Sequence, residues 1–145
     1  MNKSNLVAMA LALTLLAGCS ASTNLQALQP NTQLRIKTNS DTAVPRTAEF
    51  STTSFGNYEF EAKAAGHEPM YGVLPLKFNG GYLAVDILLF APAAFFNLRE
   101  VFPYYEFDPA SGVLRYKKTE AESWSSYTPL PAESDRAKAY FANTQ

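Results

Sequence analysis

The sequence is poor in the residues on which most catalytic and metal sites depend. It has one cysteine, Cys19, so no disulfide can form within the molecule. It has one histidine, His67, in a turn-like Gly/Pro stretch, whereas protein zinc sites need several His or Cys ligands. His67-Glu68 lacks the second histidine of H-E-x-x-H, and no G-x-S-x-G elbow or phosphate-binding glycine loop occurs. We therefore expect no catalytic residues, no metal, no cofactor and no enzyme activity.

The sequence also lacks an excess of positive charge. Lys and Arg number 12 against 13 Asp and Glu, which gives a formal net charge of −1. Nucleic-acid binding generally requires a basic patch that neutralises phosphates. We therefore expect no nucleic-acid partner.

The N-terminus has the composition of an export signal. Lys3 is the only charged residue before Arg35, and Leu6 to Ala17 is apolar except for Thr14. A membrane-spanning helix needs roughly 20 apolar residues, and this run of about 12 is too short. Its length and flanks are typical of a signal peptide. We predict a signal over residues 1–18; the alternative is a buried N-terminal helix.

The apolar run ends in Leu16-Ala17-Gly18-Cys19, which resembles the lipobox of bacterial lipoproteins. The resemblance implies cleavage between Gly18 and Cys19, a diacylglyceryl group on the Cys19 thiol and acylation of the new amine. Two or three acyl chains would anchor the protein stably to membrane lipid. In sorted lipoproteins of enteric bacteria, a residue other than Asp after the cysteine favours the outer membrane. With Ser20 at that position, we expect a lipid-anchored envelope protein at the outer membrane, facing the periplasm.

Removing 18 of the 145 residues leaves 127, which suits one domain. The 19 aromatic residues all follow the signal, and aromatics favour strands. Residues 19–33 are uncharged and mostly polar, so we interpret them as the lipidated cysteine and a tether, with a short helix at 25–28 as the alternative. We predict one mainly β domain over 34–145.

Alternation of apolar and polar residues predicts four short strands between 34 and 78, as in an antiparallel β-sandwich. The clearest is 58–64, where Tyr58, Phe60, Ala62 and Ala64 would face the core and Glu59, Glu61 and Lys63 would face water. The others are 34–38, 46–52 and 71–78. The stretch GNYEFEAKAAGHEP resembles the carboxyl half of PEGA-type modules, small β-sandwich domains of bacterial surface proteins. His67 stands where an aromatic is common, and Ser40-Asp41-Thr42-Ala43 is the nearest counterpart of the namesake motif.

Residues 82–96, YLAVDILLFAPAAFF, form an apolar insertion with one charge, Asp86. They could form a core helix before Pro92, a buried strand pair, or a loop that touches a membrane or partner. Asp86 would be costly if buried alone, and Arg99 is a candidate structural partner. The candidate contact residues are Leu88, Leu89, Phe90, Phe95 and Phe96.

The C-terminal third predicts a hairpin and a helix. Strands at 104–108 and 113–117 flank the turn residues Asp108 to Gly112. Residues 123–128 are an edge strand or an aromatic loop. Residues 131–143 have a proline in the first turn and apolar residues at i, i+3 and i+4, namely Ala137, Tyr140 and Phe141, which favour a short helix.

Paired carboxylates can hydrolyse glycosides, and the chain has two acidic pairs, Glu59 with Glu61 and Glu120 with Glu122. We interpret both pairs as solvated surface. The sequence therefore favours a non-catalytic accessory or scaffolding role in a periplasm-facing assembly, with envelope proteins as partners. The alternative is a glycan- or peptidoglycan-binding module that uses exposed aromatics, with Trp124 and Tyr127 as candidate contacts and Tyr104 and Tyr71 as further aromatics.

Overall fold

A computed structural model describes residues 20–39, 42–51, 57–78 and 99–144. Within these ranges the chain forms ten strands and one helix. The strands are β1 (Ser20–Ala27), β2 (Gln33–Ile36), β3 (Arg46–Ser51), β4 (Glu59–Lys63), β5 (Met70–Val73), β6 (Leu76–Phe78), β7 (Arg99–Val101), β8 (Tyr104–Asp108), β9 (Val113–Lys117) and β10 (Ser125–Tyr127). The helix, α1, is Pro131–Ala142, as the proline and the apolar spacing predicted.

The strands form a five-stranded sheet in the order β10-β9-β8-β1-β3, a three-stranded sheet β2-β4-β5, and the pair β6-β7. The strand pairs are antiparallel apart from β1 and β8, which run parallel. The domain is therefore mainly β and sandwich-like, with one short C-terminal helix, and the predicted fold class is confirmed.

The core lies between the inner faces of the two larger sheets. Phe107 of β8 and Phe60 of β4 meet edge to face, with ring centroids 5.1 Å apart. Phe50 and Tyr58 make a similar contact at 4.8 Å. Edge-to-face pairs add about 0.5–1.5 kcal/mol beyond the area they bury. The contact between Phe60 and Phe107 joins strands of the two larger sheets that are 47 residues apart in sequence, and so stabilises the sandwich.

The segment predicted as a tether over 19–33 is mostly structured, so that prediction is wrong. Ser20–Ala27 is β1, which lies between β8 and β3 within the largest sheet. Every second residue faces inward: Thr23 and Leu25 are buried, and Ala21 and Ala27 are partly buried against the core. The polar residues between them face outward, so a strand with small inward residues looks like a linker.

The strand predicted over 71–78 is two strands. β5 ends at Val73 and β6 begins at Leu76, because Pro75 has no N–H to continue a ladder. The hydroxyl of the buried Tyr105 donates to the Pro75 carbonyl and accepts the Phe102 N–H at 2.9 Å. Tyr105 therefore connects β8 to the segment between β5 and β6, where the chain passes from the three-stranded sheet to the β6-β7 pair.

Helix α1 covers the outer face of the three-stranded sheet. It contacts β5 and β4, and its own residues Ala137 and Phe141 are buried. Glu59 and Glu61 lie on this face and are only 4% and 2% exposed. The prediction that this face of β4 is solvated is therefore wrong, since a helix some 70 residues later in the chain packs over it.

The signal 1–18, Cys19 and the apolar insertion 82–96 lie outside the described residues. The same holds for Leu88, Leu89, Phe90, Phe95 and Phe96, and for the proposed pairing of Asp86. Phe78 and Arg99, which flank this part of the chain, are directly opposite each other in the β6-β7 pair.

Candidate functional site: the outer face of the five-stranded sheet

The two outer faces of the sandwich differ in what covers them. Helix α1 packs on the three-stranded sheet, whereas the outer face of the five-stranded sheet presents exposed residues on β1, which lies between β8 and β3. Ser22, Asn24 and Gln26 of β1 are all exposed on that side. An antiparallel sheet commonly keeps one solvated face, and residues that bind partners are found on such exposed surfaces. This outer face is the candidate functional surface.

A row of side chains crosses the outer face at one end of the sheet. Strand register places Thr47 beside Asn24, Asn24 beside Tyr104, and Tyr104 beside Lys117. Trp124 directly precedes β10 and extends the row beyond Lys117. We call Trp124, Lys117, Tyr104, Asn24 and Thr47 the outer row.

Lys117 links the two aromatic rings of the outer row. Its ammonium nitrogen lies 4.7 Å from the ring centroid of Trp124 and 5.2 Å from that of Tyr104. It also donates to the Glu120 carbonyl at 2.8 Å. Cation–π contacts of this kind contribute about 0.5–1 kcal/mol at exposed sites. They hold two aromatic side chains and one charge in a defined arrangement before any partner arrives.

The polar end of the outer row is also ordered. The Thr47 hydroxyl donates to the Asn24 side-chain oxygen at 3.0 Å, and the Asn24 amide donates to the Pro103 carbonyl at 3.4 Å. Both residues are exposed. Donors and acceptors thus continue from the aromatic end to the edge strand β3.

A second row runs parallel to the outer row and is built on a buried carboxylate. Glu106 is 8% exposed, accepts the Gln26 amide at 2.8 Å and pairs with Arg115. The Arg115 guanidinium carbon lies 5.9 Å from the Trp124 ring centroid. A buried carboxylate is tolerated when it is paired and hydrogen-bonded. Glu106 therefore positions Arg115, which in turn packs against the aromatic end of the outer row.

Tyr127 does not lie on the outer face with Trp124. Register places it opposite Leu114, whose side chain is in the core, and its ring packs against that core. Its hydroxyl donates to Glu133, whose carboxylate also accepts the Leu130 N–H at 2.9 Å at the start of α1. Burial and the adjacent Glu133 carboxylate raise the pKa of the Tyr127 phenol above its usual value. The two predicted ligand contacts are thus on opposite sides of the sheet.

The acidic pair on β4 is engaged in ion pairs. One Glu61 oxygen is 3.1 Å from an Arg35 nitrogen; the other is 2.9 Å from Lys63 and accepts the Tyr71 hydroxyl at 2.8 Å. Glu59 is 3.2 Å from Lys37 and 3.3 Å from Arg136 of α1. This network attaches the helix to the sheet and leaves both carboxylates neutralised by cations.

These contacts shift the pKa values of two groups in the network. Burial alone raises the pKa of Glu61, but the hydrogen bonds from Lys63 and Tyr71 and the nearby positive charges outweigh it and lower that pKa below 4.5. Burial, and then the Glu61 carboxylate that accepts its proton, raise the pKa of Tyr71 to about 12. Glu61 is therefore ionised and Tyr71 neutral at pH 7, which suits a structural hydrogen bond.

The other titratable candidates are on the surface. His67 is exposed in the turn after β4, where its N–H bonds to the Ala64 carbonyl at 3.2 Å. Glu120 and Glu122 are exposed in the β9–β10 loop, and Glu122 accepts the Lys118 N–H at 2.9 Å. In the described ranges, no three His, Cys, Asp or Glu side chains are grouped closely enough to hold a metal ion.

Two hollows of about 430 Å³ flank the sandwich. One lies between the β2 turn and the end of α1, where Arg35 stacks over Phe141 at 4.8 Å and Lys37 over Tyr140 at 5.0 Å. These cations already pair with Glu61 and Glu59. The other lies beside the aromatic end of the outer row, between Phe102, Tyr116 and the β9–β10 loop. Of the two, the second adjoins the candidate surface.

Among the described residues, no helix combines the length and hydrophobicity that crossing a bilayer requires. The comparisons add no relative from which a role could be transferred. No protein-family profile, curated protein or solved structure matches this chain.

Proposed function

We propose that the protein is a lipid-anchored, non-catalytic accessory domain of the bacterial cell envelope that binds a protein partner through the outer face of its five-stranded sheet. The observation that carries the proposal is the sequence Leu16-Ala17-Gly18-Cys19 followed at once by β1. The lipobox supplies the anchor, and the strand after it belongs to the sheet whose outer face none of the described elements covers.

Two features support a binding role for this face. The outer row contains Trp124 and Tyr104, and tryptophan and tyrosine are enriched among the residues that dominate binding at protein interfaces. The contacts of Lys117 and Asn24 hold the row in place, so little side-chain entropy would be lost on binding. The carboxylates of β4 are engaged in ion pairs and His67 is exposed in a turn. These positions favour a non-catalytic role for the residues. The envelope location and a role for 82–96 in partner or membrane contact remain predictions from the sequence.

Site-directed crosslinking in cells tests the proposal. A photo-crosslinking residue replaces Ser126, which is exposed on the outer face, and in a matched protein it replaces Ala110, which is exposed in the β8–β9 turn. We expect a small, reproducible set of envelope proteins from position 126 and a weaker or different set from position 110. The set from position 126 should be lost with Cys19→Ser. Identical crosslinks from both positions, or crosslinks to abundant neighbours alone, would contradict partner binding through this face.

The apolar insertion can be tested in the same assay. Because Phe78 and Arg99 are directly opposite each other, a short Gly/Ser loop can replace residues 82–96 without altering the β6-β7 pair. If these residues contact the partner, the crosslinks should weaken while the domain stays folded. Unchanged crosslinking would remove the insertion from the binding surface.

A second candidate function is glycan binding, which the pairing of Trp124 and Tyr104 across Lys117 favours. Trp124 is the only tryptophan, so its fluorescence reports directly on this row. Peptidoglycan fragments or oligosaccharides should shift the emission of the native protein, and Tyr104→Ala should weaken the response. Tyr140→Ala is the matched control, since Tyr140 lies on α1. If no glycan shifts the emission, this second function is excluded.

A further inference from the structure

Only one residue separates the proposed lipid anchor from the first strand, and this short connection restricts how the domain sits at the membrane. The inference deepens the proposed function. It rests on lipidation of Cys19. β1 begins at Ser20, and this residue is already in register with Ser51 of β3. The Ser20 hydroxyl also approaches Glu49 at 3.4 Å. After cleavage, Cys19 alone would separate the acyl chains from a paired strand within the largest sheet.

One residue of extended chain spans at most about 3.6 Å. Burial of the acyl chains contributes about 0.8 kcal/mol per methylene, so the cysteine stays at the membrane. Ser20 must then lie at the level of the lipid headgroups. In contrast, a flexible linker of 14 residues would allow a separation of about 20 Å. The domain lacks this freedom because the residues that could form such a linker are in β1.

Strand directions identify the end of the domain that faces the lipid. β8 is parallel to β1, so it starts at the end where β1 starts, and β9 is antiparallel to β8, so it finishes there. The exposed β9–β10 loop, residues 118–123, therefore lies on the side of the sheet nearer the lipid, and it begins after Lys117, which is level with Asn24. The Pro109–Gly112 part of the β8–β9 turn lies at the opposite end.

We propose that the mature domain is seated directly on the bilayer, with the start of β1 against the lipid headgroups, the β9–β10 loop on the side nearer the membrane and the β8–β9 turn pointing away. The headgroup layer of the bilayer that holds the acyl chains is the partner of this end. The loop carries both Lys118 and the acidic Glu120 and Glu122, and its exposed polar residues suit a hydrated headgroup layer. One lysine against two glutamates gives the loop a net charge of −1, so we expect that seating does not require anionic lipid.

This seating limits which partners the domain can reach. Eight residues of β1 span about 26 Å, so the outer face extends only a short way from the membrane. Asn24 is in register with Tyr104 and lies four residues from Ser20, so the outer row stands about 13 Å along the strand from the anchored end. The proposed protein partner must therefore itself lie at the membrane surface.

Energy transfer from tryptophan to a dansyl-labelled headgroup measures this seating. The native lipoprotein is reconstituted into phosphatidylcholine/phosphatidylglycerol vesicles with Trp124 as donor. In a matched protein, Trp124→Phe combined with Ala110→Trp moves the donor to the far turn. We expect clearly greater transfer from position 124 than from position 110. Insertion of a flexible 12-residue Ser/Gly linker between Cys19 and Ser20 should reduce transfer from position 124 toward the far-turn value.

The mass of each purified protein shows whether Cys19 is acylated, so that failure of the seating can be distinguished from failure of the lipid anchor. Acylated protein that shows equal transfer from both positions, or no effect of the linker, would overturn the seating and leave the anchor intact. Protein that carries no acyl mass would overturn the anchor, and the seating with it. Circular dichroism confirms that each variant is folded before its transfer is compared.

Discussion

At the residue scale, the side chain of Thr23 has an unusual environment. Thr23 of β1 is fully buried, and its hydroxyl oxygen has no hydrogen-bond partner among the described residues. An unsatisfied buried hydroxyl costs about 1–3 kcal/mol relative to a satisfied one. Its β-branched shape suits a strand, whereas its hydroxyl oxygen makes no hydrogen bond with the described residues.

Thr23→Val should therefore raise the free energy of unfolding by about 1 kcal/mol, because it keeps the shape and removes the unpaired oxygen. Urea unfolding at pH 7 measures the change. Thr23→Ala is the control and should destabilise the protein, since it leaves a cavity in β1. Equal destabilisation by both substitutions would show that the hydroxyl has a partner.

The ion-pair network under α1 gives a prediction about pH. Since the folded state lowers the pKa of Glu61, the stabilisation it provides is complete above about pH 4.5 and disappears as pH falls through the folded-state value. Glu61→Gln should lower stability at pH 7 by about 1–3 kcal/mol, and the gap from the wild type should narrow in acid.

Unfolding curves measured between pH 7 and pH 3 test this prediction. Glu68→Gln, a change at an exposed carboxylate, is the matched control and should leave the curve nearly unchanged. A Glu61→Gln gap that stays constant or widens in acid would mean that the carboxylate is not preferentially ionised in the fold.

At the scale of elements, alternation and turn chemistry predicted most strands well. The β8-β9 hairpin has the predicted bounds, and its strands place Tyr105 and Phe107 opposite Tyr116 and Leu114. The strand predicted over 46–52 is β3, whose Ala48 and Phe50 are buried. These elements were predictable because large apolar residues alternate strictly and recognisable turn residues bound them.

The elements that the sequence did not predict depend on contacts distant along the chain. β1 has few large apolar residues and is stabilised by pairing with β8, where Gln26 and Glu106 are 80 residues apart. The burial of Glu59 and Glu61 depends on α1, which follows them by about 70 residues. The candidate surface was predictable only through Trp124 and Tyr104, because the outer row is assembled from four strands and the residue beside β10. Tyr127 was predicted to be a ligand contact together with Trp124, because the sequence alone does not show on which side of β10 the Tyr127 side chain lies.

The junction of β4, β5 and the segment before α1 leaves no space at Gly72. A Cβ atom there would lie 2.6 Å from the Pro129 ring and 2.9 Å from the Phe60 ring. Gly72→Ala should therefore lower the free energy of unfolding by about 1–3 kcal/mol through overpacking. Thermal unfolding tests this, with Ser126→Ala as an exposed-strand control expected to change stability by less than about 0.5 kcal/mol. A neutral Gly72→Ala would mean that the Pro129 segment can move away from the sheet.

At the scale of the whole molecule, the described residues form two larger sheets, the β6-β7 pair and one helix, and none of the described elements covers the outer face of the large sheet. α1 covers the small sheet through an ion-paired and aromatic interface, while the large sheet presents the outer row. The lipobox sequence, joined directly to β1, would place this open face beside a membrane. The proposed partner-binding role, the seating and the limited reach of the domain all depend on that attachment.

The proposed function depends on a mature chain that begins at a lipidated Cys19. The most direct test is the mass of the amino-terminal fragment of the protein extracted from membranes of a bacterium that expresses the full chain. We expect a fragment that starts at Cys19, immediately before β1, and carries the mass of a diacylglyceryl group with or without a third acyl chain. A fragment that retains residues 1–18, or that begins elsewhere with an unmodified Cys19 thiol, would contradict it.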